Sequence, residues 1–207
     1  MPGQLCRGLG EAEVAIELKG PWDAGFAVDV HTESSKFVGN GPFGPEFDTK
    51  HSAVGLALHR LKYHRDDSGL HVVVSGLKLV YDKRIVPRLG YAHWVIPVPP
   101  NEPRTTQPLY IIITDEFCCL TKIADGRDLL VKTRETPTLK DVQDPKIREE
   151  LLAGAFVASA EVRGKHVLVL DDIYRSGATA REIARTIKDQ RASAVCLLTV
   201  TRTRIRR

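Results

Sequence analysis

The sequence predicts an α/β fold: a mainly parallel sheet flanked by helices, preceded by a small N-terminal β-hairpin subdomain. Three observations carry this prediction. Val167, Leu168, Val169 and Leu170 form an unbroken apolar run, the pattern of a strand buried on both faces of a parallel sheet. Ala180, Ile183, Ala184 and Ile187 then recur at helical spacing, and residues 194–200 return to apolar, β-branched composition. Strand, tight loop, helix and strand in that order make a right-handed crossover between parallel strands. With 207 residues, the chain suits one such domain with a short appendage and excludes a multi-domain machine. Its 43% hydrophobic and 27% charged residues exclude a disordered or fibrous chain.

Taken in order, residues 12–18 and 25–30 cluster apolar side chains around Gly20-Pro21, the pattern of an antiparallel hairpin. Residues 34–49 hold Gly39, Gly41, Pro42, Gly44 and Pro45, so they read as a loop. These segments set an expected boundary, with hairpin and loop in residues 1–49 and the main domain in residues 50–207. Val54, Leu58 and Leu61 predict an amphipathic helix ending near Tyr63. Residues 68–83 suit a second helix, although Val72, Val73 and Val74 are equally good strand material. Residues 93–98 form a short apolar run stopped by Pro99-Pro100, which predicts a buried strand leading into a loop. Residues 109–120 divide between strand propensity, through Tyr110, Ile111, Ile112 and Ile113, and helical length. Residues 125–146 are polar without a sustained period, and Asp144-Pro145 then marks a helix start, carboxylate at the cap and proline in the first turn.

No apolar run approaches the ~20 residues that span a bilayer, and Arg7, Glu11, Glu13 and Glu17 interrupt any secretory segment. A cytoplasmic location without membrane contact is expected. Cys6, Cys118, Cys119 and Cys196 lack C-x-x-C spacing, so neither a zinc ribbon nor a disulfide framework is indicated, and Cys118-Cys119 reads as core. His59 and His64 do not have the i, i+4 spacing of helical metal ligands. Trp22 and Trp94 are expected to pack near strands. The net charge of +4 lies largely in Arg202, Arg204, Arg206 and Arg207. Such an excess suits phosphorylated small molecules and nucleic acid alike; these arginines could contact nucleic acid, or form a solvated or homodimer-contacting edge.

The residues after the strong apolar strand carry the chemistry. They read Asp171-Asp172-Ile173-Tyr174-Arg175-Ser176-Gly177-Ala178-Thr179. Ligands of open α/β sheets bind beyond the carboxyl ends of the strands. There the amides of Arg175, Ser176, Gly177, Ala178 and Thr179, with the positive end of the next helix, can cradle a phosphate. Gly177 permits close backbone approach, and Ser176 and Thr179 add hydroxyl donors. Asp171 and Asp172 would repel a phosphate but match ribose hydroxyls, which donate to charged acceptors. A receiver domain needs ~100 further residues after such a pair. A Walker site is absent, because Gly164-Lys165 is followed by His166 and Ser159 stands in place of the first glycine.

This segment resembles the signature of the type I phosphoribosyltransferases: four apolar residues, an acidic pair, a short turn and a Thr/Ser-Gly-x-Thr loop. Within that group the sequence is similar to the ComF family, through His59-Arg60-Leu61-Lys62-Tyr63, Val95-Ile96-Pro97-Val98-Pro99, Arg134-Glu135-Thr136-Pro137 and Gly154-Ala155-Phe156. The resemblance implies a type I phosphoribosyltransferase-like sheet, with 5-phosphoribosyl-1-pyrophosphate and Mg²⁺ as ligands, the metal held mainly by ligand oxygens and water. It implies displacement of pyrophosphate from the anomeric carbon by a nitrogen nucleophile of unidentified kind. Asp171 and Asp172 would hold the ribose, a loop after the first core strand with Pro100 and Arg104 would face pyrophosphate, and a closing loop would bring Arg134 and Lys140. The hypoxanthine-guanine enzymes carry an aspartate where Arg175 stands, and an arginine cannot replace that base. The alternative reading is a non-catalytic phosphoribosyl-pyrophosphate sensor or adaptor of the ComF type, linked to DNA uptake or nucleic-acid regulation.

Overall fold

The computed structural model describes residues 15–42, 44–64, 68–100, 108–136, 142 and 144–204. Two strands open the fold: β1 (Ile16–Glu17) pairs antiparallel with β2 (Ala24–Val30) around Gly20-Pro21, as the sequence predicts. β2 then joins the main sheet, running parallel to β10 (Ala194–Arg202) with Phe26 beside Leu198. β10 pairs in parallel with β9 (His166–Tyr174), and β9 with β5 (Trp94–Pro97), which carries β6 (Ala124–Asp125) at the edge. The six-stranded order is β1-β2-β10-β9-β5-β6, and only β1 is antiparallel to its neighbour. The expected boundary at residue 49 therefore has a strand of the main sheet on its amino-terminal side.

Alternate residues of these strands leave the sheet on opposite faces, and both faces are covered. On one face Phe26, Val28, Leu168, Leu170, Leu198 and Val200 meet α1 (Ala53–His64), α2 (Ser68–Val80) and α4 (Leu109–Thr121) through Val54, Leu58, Val73, Leu77, Ile113 and Phe117. On the other, Val167, Val169, Val195 and Leu197 meet Ala180, Ile183, Ala184 and Ile187 of α6 (Ala178–Asp189), the face predicted for that helix. Burial on both faces explains why these strands read as continuous apolar runs. α5 (Pro145–Leu152) starts as predicted, with Asp144 accepting from the Lys146 amide at 2.8 Å. Arg181 of α6 binds Glu149 of α5 at 2.8 Å.

The two ambiguous segments are helical. Val73, Leu77 and Val80 lie on one buried stripe of α2, as Ile113 and Phe117 do on α4, so packing against the sheet decides over β-propensity. α2 continues into a π-helical turn (Tyr81–Ile85) and the short α3 (Val86–Leu89).

Three expectations are corrected. Residues 34–49 are not a loop: β3 (Thr32–Gly41) and β4 (Gly44–His51) form a long antiparallel ribbon, most of it exposed. Its breakers occupy the places a ribbon needs them, Gly39 at a register shift with φ +152° and Gly44 at the turn with φ +121°. Within residues 125–146, which show no period as expected, β7 (Leu130–Lys132) pairs with β8 (Phe156–Ala158), and Leu129 and Leu130 enter the core. Three-residue strands are too short to show a period. The arginine-bearing last strand is not an edge, because β10 lies between β2 and β9. Cys118 packs against the core while Cys119 is exposed, so the Cys118-Cys119 pair is only half core. No helix among the described residues is long and apolar enough to cross a membrane.

Candidate functional site

β9 extends four residues beyond its apolar run, so Asp171 and Asp172 are strand residues rather than loop residues. Asp171 stands beside Thr199 of β10. By alternation Asp172 follows Leu168 and Leu170 toward the α1 and α4 face, and Asp171 follows Val167 and Val169. The pair thus brackets the end of one strand. Beside it, β5 ends at Pro97, and the Val98 amide donates to Leu170 O at 2.9 Å, which holds the Val98-Pro99-Pro100 turn against β9. The start of α4 and the last turn of α1 complete a cleft of about 240 Å³ in which Lys62, Pro100, Tyr110, Asp171 and Asp172 meet.

Lys62 lines this cleft too, although in the sequence it stands within residues 59–63 with no role assigned to it. Its Nζ lies 2.8 Å from Asp172 Oδ2, both side chains being about a quarter exposed (25% and 27%). The signal was present, for Lys62 stands four residues after Leu58 on the stripe that α1 buries. A lysine on such a stripe requires a counter-charge.

The acid pair does not hold two equal charges. Burial first, and then the negative charge of Asp172, push the Asp171 carboxyl up to about 7, against the opposing pull of Lys62 and the Asp172 amide, which donates to Asp171 Oδ1 at 2.9 Å. Asp171 therefore holds its proton well above the usual carboxylate range, beside Asp172 in its ion pair with Lys62. Next to this cleft His31, His51 and His59 stack with ring centroids 5.2 and 5.0 Å apart. Burial, followed by the positive potential of neighbours including Lys62, lowers the His31 pKa. His59 and His64 rings approach to 5.6 Å despite their spacing. No group of three or more His, Cys, Asp or Glu among the described residues is arranged to hold a metal ion. Two carboxylates on opposite sides of one strand make no cage by themselves, so a Mg²⁺ here would be held chiefly by ligand oxygens and water.

After Tyr174 the chain turns through Arg175 and Ser176, and Gly177 starts α6 with φ +75°. A Cβ at Gly177 would overlap the Tyr174 ring and hydroxyl, so glycine is required twice, by dihedral and by contact. Gly177 and Ala178 are buried, Ser176 and Thr179 half-buried, and Arg175 exposed. The Arg175 side chain lines a different cleft from the acid pair. Arg134 is engaged elsewhere: its Nη2 donates to Leu151 O and Ala153 O, each at 2.9 Å, capping the end of α5. Arg104, Lys140, Arg206 and Arg207 lie outside the described residues. Of the predicted site residues, the structure brings Asp171, Asp172 and Pro100 into one cleft and adds Lys62.

No family model matches the sequence, and no curated protein matches it. Among solved structures, the chain is similar to the allosteric regulatory enzyme of purine biosynthesis, at 19% identity and a TM-score of 0.43. It is also similar to glutamine phosphoribosylpyrophosphate amidotransferase from B. subtilis complexed with ADP and GMP, at 20% identity and a TM-score of 0.44. Each match covers 77% of this chain and 34% of the other, so the chain spans about a third of the length of these proteins. At these scores the likeness carries no functional argument.

Proposed function

We propose that the acid-pair cleft binds 5-phosphoribosyl-1-pyrophosphate and that the protein is a ComF-like phosphoribosyltransferase. One observation carries the reading: two adjacent carboxylates at the end of a central parallel strand share a cleft with the turn after the neighbouring strand. A glycine-started helix follows within a few residues. Ionised Asp172 accepts a ribose hydroxyl and lends negative potential to the developing oxocarbenium ion. Asp171, titrating near neutrality, accepts or donates to the second hydroxyl. Lys62, paired with Asp172, holds its carboxylate oriented. The amides of Ser176, Gly177, Ala178 and Thr179, with the Arg175 loop, take the 5-phosphate, while the Pro100 turn and Arg104 receive pyrophosphate. In the reaction a nitrogen forms its bond to the anomeric carbon as the bond from that carbon to the pyrophosphate oxygen breaks, and the nitrogen then loses its proton. Mg²⁺, bound through ligand oxygens, would neutralise pyrophosphate charge. Arg134 and Lys140 would act only when their loop closes, which for Arg134 means leaving the α5 carbonyls.

That capped position of Arg134 favours one second reading, a phosphoribosyl-pyrophosphate sensor of the ComF type that binds without turnover. Thermal melting tests binding first. At a hundred times its dissociation constant, the ligand with Mg²⁺ stabilises the fold by about 2.7 kcal/mol, a rise of roughly 5 to 10 °C. The rise disappears in Asp171→Asn/Asp172→Asn. No rise in the folded wild-type protein removes both readings. Pyrophosphate release, scanned over nucleobases and amines, then separates enzyme from sensor.

A further inference from the structure

A second cleft, of about 310 Å³ and lined in part by Tyr174, shares no lining residue with the acid-pair cleft. Lys19 from the β1–β2 turn, Arg175 from the β9–α6 loop and Arg202 from the end of β10 all line it. The one carboxylate there, Glu17, is already committed, since its Oε1 accepts from Arg88 Nη1 at 2.9 Å. Among the described residues, Lys19, Arg175 and Arg202 have no side-chain hydrogen bond or ion pair. Three cations held around one concavity repel each other, and in a cleft their field concentrates rather than disperses.

The cations also sit on a framework fixed without a ligand. The Thr203 amide donates to Tyr174 O at 2.9 Å, which ties the segment bearing Arg202 to the one bearing Arg175. The edge of Trp22 packs against Tyr174 with ring centroids 6.2 Å apart, and the Trp22 indole donates to Leu18 O at 2.7 Å, beside Lys19. Two guanidinium groups and an ammonium on a held frame match the several oxygens of a phosphate. A concavity of this size suits a small molecule, whereas a nucleic-acid strand needs an extended basic track.

We propose that this cleft is a binding site for a phosphorylated small molecule, separate from the acid pair, with Lys19 and Arg202 supplying charge that no other part of the fold uses. It does not depend on the phosphoribosyltransferase reading, and pyrophosphate in EDTA probes it without metal. Isothermal titration of the whole protein is expected to show saturable pyrophosphate binding. The same titration should weaken at least tenfold in Lys19→Gln/Arg202→Gln. Lys19→Glu, at an exposed position, is expected to weaken it several-fold with an unchanged circular dichroism spectrum, which separates charge from folding. Absence of saturable binding to the wild-type protein overturns the proposal. So does retention of full binding in the Lys19/Arg202 variant, which would assign the anion to another site. Displacement of pyrophosphate by a single-stranded oligonucleotide, but not by ribose 5-phosphate, would likewise overturn it in favour of a nucleic-acid surface.

Discussion

Asp171 and Asp172 are neighbours in sequence with different surroundings, because each faces a different side of β9. For Asp171 the consequence is measurable. Its carboxyl titrates near 3.9 in the unfolded chain and at about 7 in the folded protein, so the folded state holds the proton more tightly. The stability due to protonated Asp171 is complete below pH ~4 and is lost as pH rises toward and through 7. Asp171→Asn keeps an acceptor for the Asp172 amide and removes the titration. It is expected to melt higher than wild type at pH 8 by a few degrees, about 2 to 4 °C per kcal/mol, and to lose that advantage by pH 5. His31 and His59, whose pKa values are lowered, act in the opposite direction, losing stability as pH falls below 6.5. Both chains retain them, so the difference isolates Asp171; parallel melting curves from pH 5 to 8 would refute the assignment. The acid pair was legible because its residues adjoin in the chain. Lys62 meets Asp172 across 110 positions, and no local pattern reports such a contact. A lysine on a buried stripe, within residues 59–63, was the local sign that pointed there.

At the scale of elements, the sequence was most readable where an element buries a full face. α6 and the apolar part of β9 follow their patterns because every third or fourth residue, or every residue, touches core. The β3–β4 ribbon was missed for the opposite reason. It buries little, its side chains are mixed in polarity, and its glycines and prolines imitate a loop. Phe37 and Phe47 pair across it with ring centroids 5.7 Å apart, yet both remain exposed. A two-stranded ribbon with so little cover is marginal by itself. Amide hydrogen exchange is therefore expected to be fast along β3 and β4 and slowest in β9 and β10, by several orders of magnitude. Equal protection in ribbon and central strands would show that something else covers the ribbon. The helix over residues 109–121 was undecidable locally, since Ile111, Ile112 and Ile113 suit a strand until the sheet beneath selects Ile113 and Phe117.

For the whole molecule, the sheet order sets how the fold must fail. The boundary expected at residue 49 would let an N-terminal unit melt alone. In the structure β2 hydrogen-bonds to β10 along most of its length, and Trp22 belongs to the core on the α6 face. Trp22 and Trp94 report from either side of that boundary. With Trp94→Phe, the fluorescence of Trp22 is expected to follow the same denaturant midpoint as far-ultraviolet circular dichroism, which registers all the helices. Two midpoints would restore the two-unit division. The parallel βαβ unit and the two covered faces were legible from composition alone. The place of β1 and β2 in the sheet was not, because a short hairpin carries no record of which distant strand it will join.

The pairing of β2 with β10 also governs how the chain is born. During vectorial synthesis β2 (Ala24–Val30) leaves the ribosome long before β10 (Ala194–Arg202), the strand that will flank it. Residue by residue at about 5 to 20 per second, its apolar edge waits many seconds for a partner. Until β10 emerges the nascent chain can assemble helices and the ribbon but cannot close its central sheet, so completion is a late and sudden event, and the interval before it is when the chain is most exposed to misassociation.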